Sequence, residues 1–331
     1  MLKIKQYKFW FCPCTQDLYG DEVLEHVAQH AAEVVAELNA SKLVPFEVVL
    51  KPNLLTSDVI RATFNAANVD DECAGIITWA HTFSPAKSYI LGLQDLRKPL
   101  CQFATQYNEE IPYDTIDMDF MNENQAAHGE RELGHIFARM RWNHKVVFGF
   151  WKDPEAQAEL GAWQRVAVGV NESRNIRVAR FADTMRNVAV TDGDKIEAEV
   201  KFGWTVDAWP VNDLVPYVEG VTDAEVKALT DEYYDSYDLV LDGRDPEEFR
   251  RHVEVQAAQE IGIERFLVEH GYNAFSDHFG DLGGLKQLPS LAIQRLMQKG
   301  YGFGPEGDWK TPAMVRLMKV MTAGMAGAKG S

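Results

Sequence analysis

Apolar and polar positions alternate in blocks along the first half of the chain. Lys8 to Cys12 is a short apolar run of strand type. It is followed by a helical pattern from Glu22 to Leu38, with Val23, Val27, Ala31, Val34 and Leu38 on one face. Further strand-like runs follow at Phe46–Leu50, Ala74–Trp79, Leu100–Ala104 and Lys145–Trp151, most of them separated by helical stretches. Strand–helix alternation with continuous apolar strands predicts a parallel sheet covered on both faces. In such sheets ligands collect at the carboxyl ends of the strands. Gln16, Phe83 and Gln106 each stand just past a predicted strand and would meet there.

The pattern is interrupted between Gly169 and Arg177, which suggests one domain over residues 1–172 and a second over 173–331. The second opens with a strand at Val178–Phe181 and continues with mixed elements. They include an acidic helix at Asp223–Tyr237, read as a solvated or interacting face, and a surface loop at Leu239–Glu248. Near the end, Leu291–Lys299 has helical apolar spacing, Gly300 stands where that helix would stop, and Thr311–Pro312 reads as the N-cap and first turn of the next. Between them Gly302, Gly304 and Gly307 form a glycine-rich loop around one carboxylate, Glu306. Such a loop can present an acid to a ligand or metal, or can be a connector whose acid is solvated.

With 331 residues the chain can bury two cores. Its 33 basic and 50 acidic residues leave a net charge of −17, which argues against nucleic-acid and anionic-membrane partners. No apolar run has the length of a membrane span and no signal-peptide pattern opens the chain, so a cytoplasmic protein is expected. Four cysteines are too few for a disulfide framework. Cys12 and Cys14 share one strand face and read as buried thiols or as a metal or redox pair. Two histidine patterns have metal-like spacing. His128, Glu132 and His135 fall on one helical face, although Gly129 and Gly134 weaken a helix there. His26 and His30 are four apart but share a polar face with Glu33 and Glu37, which reads as solvated.

Several segments, in order, resemble those of bacterial L-arabinose isomerases: FWFCPCTQDLYG, ITWAHTFSPAK, IDMDFMNENQAAHG, RFADTMRNVAVTDGDK and LKQLP followed by GYGFGPEGDWKT. The resemblance implies a Rossmann- or flavodoxin-like α/β domain, then a second α/β domain of the fucose/arabinose isomerase type. It implies conversion of L-arabinose to L-ribulose, with D-galactose to D-tagatose as a further activity, through an enediol stabilised by manganese, with magnesium or cobalt as alternatives. Glu306 matches the first of two glutamates and two histidines that hold the metal in that family. The other three find no match here, since the last histidine is His278. The expectation is therefore an isomerase lacking its C-terminal domain and inactive as these 331 residues alone.

The resemblance further places Gln16, Leu18, Tyr19, Phe83, Met185 and Phe279 around the sugar. Gln125 and His128 would reach a neighbouring subunit's site in a homo-oligomer, a trimer or hexamer. CPCT before Gln16, Asp277, His278 and Gly280 around Phe279, and Pro305 before Glu306 depart from the family pattern. A related isomerase of deoxy sugars fits the LYG and HTFSPAK segments less well. A reading of another class is a non-catalytic sugar-binding or assembly protein that keeps the first two domains.

Overall fold

The computed structural model describes residue 2 and residues 5–325. The chain divides into two compact units, Lys5–Asn171 and Glu172 onward, and Leu2 belongs to the second.

The first unit holds five parallel strands: β1 (Lys8–Cys14), β2 (Glu47–Leu50), β3 (Cys73–Ala80), β4 (Leu100–Ala104) and β5 (Lys145–Phe148). Their order is β2-β1-β3-β4-β5, the doubly wound order of flavodoxin-like sheets. β3 is the centre, with all eight residues buried because helices cover both faces. Cys12 and Cys14 pack in one core with Ile60, Phe64, Tyr89 and Phe137. All four cysteines are free and buried. Burial pushes the Cys14 thiol up to about 12 and that of Cys73 to about 11, which suits packing rather than chemistry at neutral pH.

The helix Pro154–Ser173 runs straight through Gly169, and the division between the units falls inside its last turn. The helix Ala126–Met140 is also whole despite Gly129 and Gly134. A Cβ on Gly129 would stand 3.1 Å from the Ser84 backbone nitrogen, so this glycine serves close packing of the helix on the segment after β3.

The second unit is built on β6 (Arg177–Phe181), β7 (Thr205–Trp209), β8 (Ala274–Ser276) and β9 (Gly302–Gly304), all parallel, in the order β7-β6-β8-β9. Its longest helix, Pro246–His270, starts on an Asp245 side-chain cap with proline in the first turn and ends at Gly271, φ 71°. Phe181, Phe266, Phe275, Leu296 and Tyr301 fill the core beside it.

The glycine-rich stretch differs from its sequence reading. Gly302 to Gly304 is a strand, and the first two glycines serve close approach rather than unusual backbone angles. A Cβ on Gly302 would lie 2.0 Å from the Pro312 carbonyl, and one on Gly304 2.6 Å from the Pro312 ring. The helix Lys310–Met321 thus lies directly on β9. Its cap also differs: Asp308 Oδ1 accepts from the Lys310 and Thr311 backbone N–H groups at 3.0 and 3.5 Å, so Thr311–Pro312 lies within the first turn. Replacing Gly302 with alanine forces backbone apart in this layer and should cost about 3 kcal/mol, seen as a lower urea midpoint of unfolding.

Candidate functional site

At the carboxyl end of the first sheet, the turns after β1 and β3 are joined by side chains. Thr15 and Thr82 hydroxyls lie 2.6 Å apart, and Ser84 Oγ donates to the Thr15 carbonyl at 3.4 Å. Gln16 stands just before the short turn Asp17–Tyr19, which presents Leu18 to solvent at 82% exposure. Phe83 is half-buried, and the His128 ring of the same chain lies 4.7 Å from it. Gln125 Nε2 donates to Asn122 Oδ1 at 3.2 Å. Gln106, just past β4, is exposed.

A buried acid that the sequence reading passed over lies beneath this rim. Glu130, on the helix Ala126–Met140, accepts from the Ala80 backbone N–H at 2.9 Å and from the Gln102 amide. Burial pushes its carboxyl from 4.5 up to about 7, against the downward pull of those two donors. Glu132, one of the proposed metal trio with His128 and His135, instead accepts from the Ala86 N–H at 2.8 Å. Beside Glu130 and Gln102 runs a cleft of about 990 Å³ lined by Phe120, Met121, Phe148 and Phe150. It borders β5, an edge strand, whose Phe148 is 82% exposed.

The second unit gathers Met185, Phe279 and Glu306 through the loops that follow β6, β8 and β9. Met185 N–H donates to the Glu306 carbonyl at 3.3 Å, and Gly307 N–H to the Asp277 carbonyl at 2.7 Å. Glu306 has φ 68°, a left-handed conformation costly for a residue with a Cβ. Gly307 follows at φ 72°, where a Cβ would stand 2.3 Å from the Asp183 carbonyl. Ala182 and Asn187, φ 67° and 64°, are strained in the same way on the loop after β6. Strain of this kind is held only where surrounding bonds fix it, and here the cross-loop hydrogen bonds do so. Asp277, absent from the sequence-derived set, lies between these loops with Oδ2 buried and unpartnered among the described residues. Burial raises its carboxyl from 3.8 to about 6. Phe279 is half-exposed beside it.

The fold and these rims define a two-unit parallel α/β protein with polar and acidic loops at the strand carboxyl ends, the arrangement of small-molecule enzymes. Sequence comparison makes this specific. Residues 3–175 match the L-arabinose isomerase N-terminal domain and residues 177–324 the L-arabinose isomerase central domain. The chain therefore belongs to the L-arabinose isomerase family. It is 52% identical over 324 residues to the L-arabinose isomerase of Geobacillus stearothermophilus, covering 98% of this chain and 65% of that one. Against the enzyme of Oceanobacillus iheyensis the figures are 53%, 97% and 68%, and against that of Salmonella enteritidis 53%, 97% and 64%. The chain thus spans about two thirds of the length of these relatives. Among the described residues, no helix is long and apolar enough to cross a membrane.

Because the Glu130 carboxyl is raised on folding, its contribution to stability is lost as pH rises from 4.5 towards about 7. Asp277, raised to about 6, acts in the same sense and His81, lowered by burial to about 4, in the opposite one, so the parent profile mixes all three. The difference between the parent and Glu130→Gln isolates the acid. The variant should gain on the order of 2 kcal/mol relative to the parent between those pH values, measured as paired urea midpoints.

Proposed function

We propose that this chain supplies the sugar-binding domains of an isomerase that converts L-arabinose to L-ribulose, with D-galactose as a second substrate. Family membership over both domains supports the reaction, and the strained Glu306 is the observation that carries the site. A carboxylate kept at φ 68° between Pro305 and a glycine that admits no side chain is held for its direction. Glu306 is the proposed ligand of a divalent cation and the proton-transfer group. The unpartnered Asp277 oxygen on the adjoining loop fits such a cation, since oxygen donors of this kind suit manganese and also magnesium or cobalt. When bound, the cation supplies positive charge for the oxyanion that develops as a proton moves between adjacent sugar carbons. Gln16 offers hydrogen bonds to hydroxyls, while Leu18, Tyr19, Phe83, Met185 and Phe279 are proposed as sugar contacts that exclude water.

The apolar cleft beside β5 supports a homo-oligomer. An exposed edge strand carrying Phe148 is a surface that proteins cover. The proposed subunit contact lies there, with Gln125 and His128 acting towards a partner's sugar. Phe148→Asp should lower the molecular mass measured by sedimentation; an unchanged mass would place the interface elsewhere.

The non-catalytic reading rests on the single match, Glu306, to the four-residue ligand set, and under it sugar would bind without metal. Calorimetry on the 331-residue chain separates the two. L-arabinose binding should strengthen with Mn²⁺ in the parent and lose that dependence in Glu306→Gly, with no L-ribulose formed by either. The variant should also be about 1 kcal/mol more stable, because glycine relieves the left-handed strain. Sugar binding indifferent to Mn²⁺ in the parent would favour the binding-protein reading.

A further inference from the structure

Of the two histidines on the predicted solvated face, His26 is exposed but His30 is half-buried. The helix carrying His30, Asp21–Ala40, brings its ring against the segment just after β3. There His30 Nδ1 lies 2.7 Å from His81 Nε2. The carboxylate of Glu123, last residue of the short helix Met118–Glu123, completes the group, with the three ligand atoms all within 4.8 Å of one another. We propose that His30, His81 and Glu123 bind one divalent transition-metal ion of the zinc class, which fastens the Met118–Glu123 helix to the body of the first unit.

The donor set and its support both fit. Two imidazoles and one carboxylate leave a fourth position for water, a common zinc arrangement. Two nitrogens on one tetrahedral zinc ion stand about 3.4 Å apart, so the rings need to part by about 0.7 Å as the ion replaces the proton they share. His81 is 1% exposed, with the Trp79 ring 4.9 Å from its own. Tyr107 stacks on His30 at 3.6 Å and 10°, and its hydroxyl donates to Glu33 Oε2 at 2.6 Å, which fixes the second ring. Both imidazoles are kept neutral by burial, as ligands must be. His26 stands at the outer edge, its Nδ1 3.4 Å from Glu123 Oε1, where it competes with the ion for that carboxylate.

Nitrogen donors distinguish this position from the oxygen-lined loops around Glu306. Zinc and cobalt are favoured here over manganese and magnesium. The test is Co²⁺ titration of the full chain carrying Glu306→Gln, followed by visible absorption. One equivalent should bind with the spectrum of nitrogen–oxygen coordination, and Zn²⁺ should displace it. His30→Ala should weaken Co²⁺ binding by at least about 100-fold, the upper end of the loss seen when even a supporting group is removed. Glu123→Gln, close to the surface and safe for folding, should weaken it by about 10-fold. Equal Co²⁺ affinity in the parent and both variants, or no Co²⁺ bound at micromolar concentration, would overturn the proposal.

Discussion

The buried guanidinium of Arg316 is the constraint on which the second unit depends. At 2% exposure it donates through Nη2 to Glu172 Oε1 and through Nη1 to the Gly300 carbonyl, both at 2.9 Å. One side chain thereby links the helix Lys310–Met321, the end of the helix Pro154–Ser173 and the turn that feeds β9. A charge buried to this degree is stable only while paired, and removing one partner of such a pair typically costs about 3–5 kcal/mol. The glycines of β9 let the Arg316 helix come within backbone contact of the strand. With both ends anchored, the four residues from Pro305 to Asp308 have little freedom, and the energy spent on Glu306 at φ 68° is supplied by its surroundings.

The two rims are made by different means. In the first unit, ordinary backbone is joined by side-chain bonds, such as Thr15 with Thr82 and Ser84 with the Thr15 carbonyl. In the second, backbone groups cross between loops, and three non-glycine residues, Ala182, Asn187 and Glu306, take left-handed angles. Small changes in the first rim can be absorbed by rotamers. In the second they must be absorbed by the main chain, which explains why Gly307 has no room for a Cβ.

Legibility followed burial and length. β1, β3 and β4 are continuous apolar runs because both faces of the sheet are covered, and the sequence pattern located them to within one or two residues at most ends. β8 and β9 have three residues each, too few for any period to show, and Gly302–Gly304 carries the composition of a loop. Glycine misled in helices as well. Gly129 and Gly134 read as weakening their helix, yet it is whole and Gly129 serves its packing. Glu306 was legible through its segment's resemblance to a family. Asp277 stood beside Phe279 but in a stretch that departs from the family pattern, so nothing local marked its buried oxygen. The His30–His81 contact spans 51 residues and arises only from packing of a helix on the end of β3.

Leu2 donates its N–H to the Lys299 carbonyl at 2.6 Å and packs beside the core of the second unit. That unit is therefore assembled from two separate stretches of polypeptide, with the first unit spliced between them. During synthesis on the ribosome, Lys5–Asn171 can fold as soon as it emerges, while Leu2 waits for a partner nearly 300 residues downstream. An expression fragment cut cleanly at Glu172 would omit this contact, which returning the opening residues to it, for example by circular permutation, would restore.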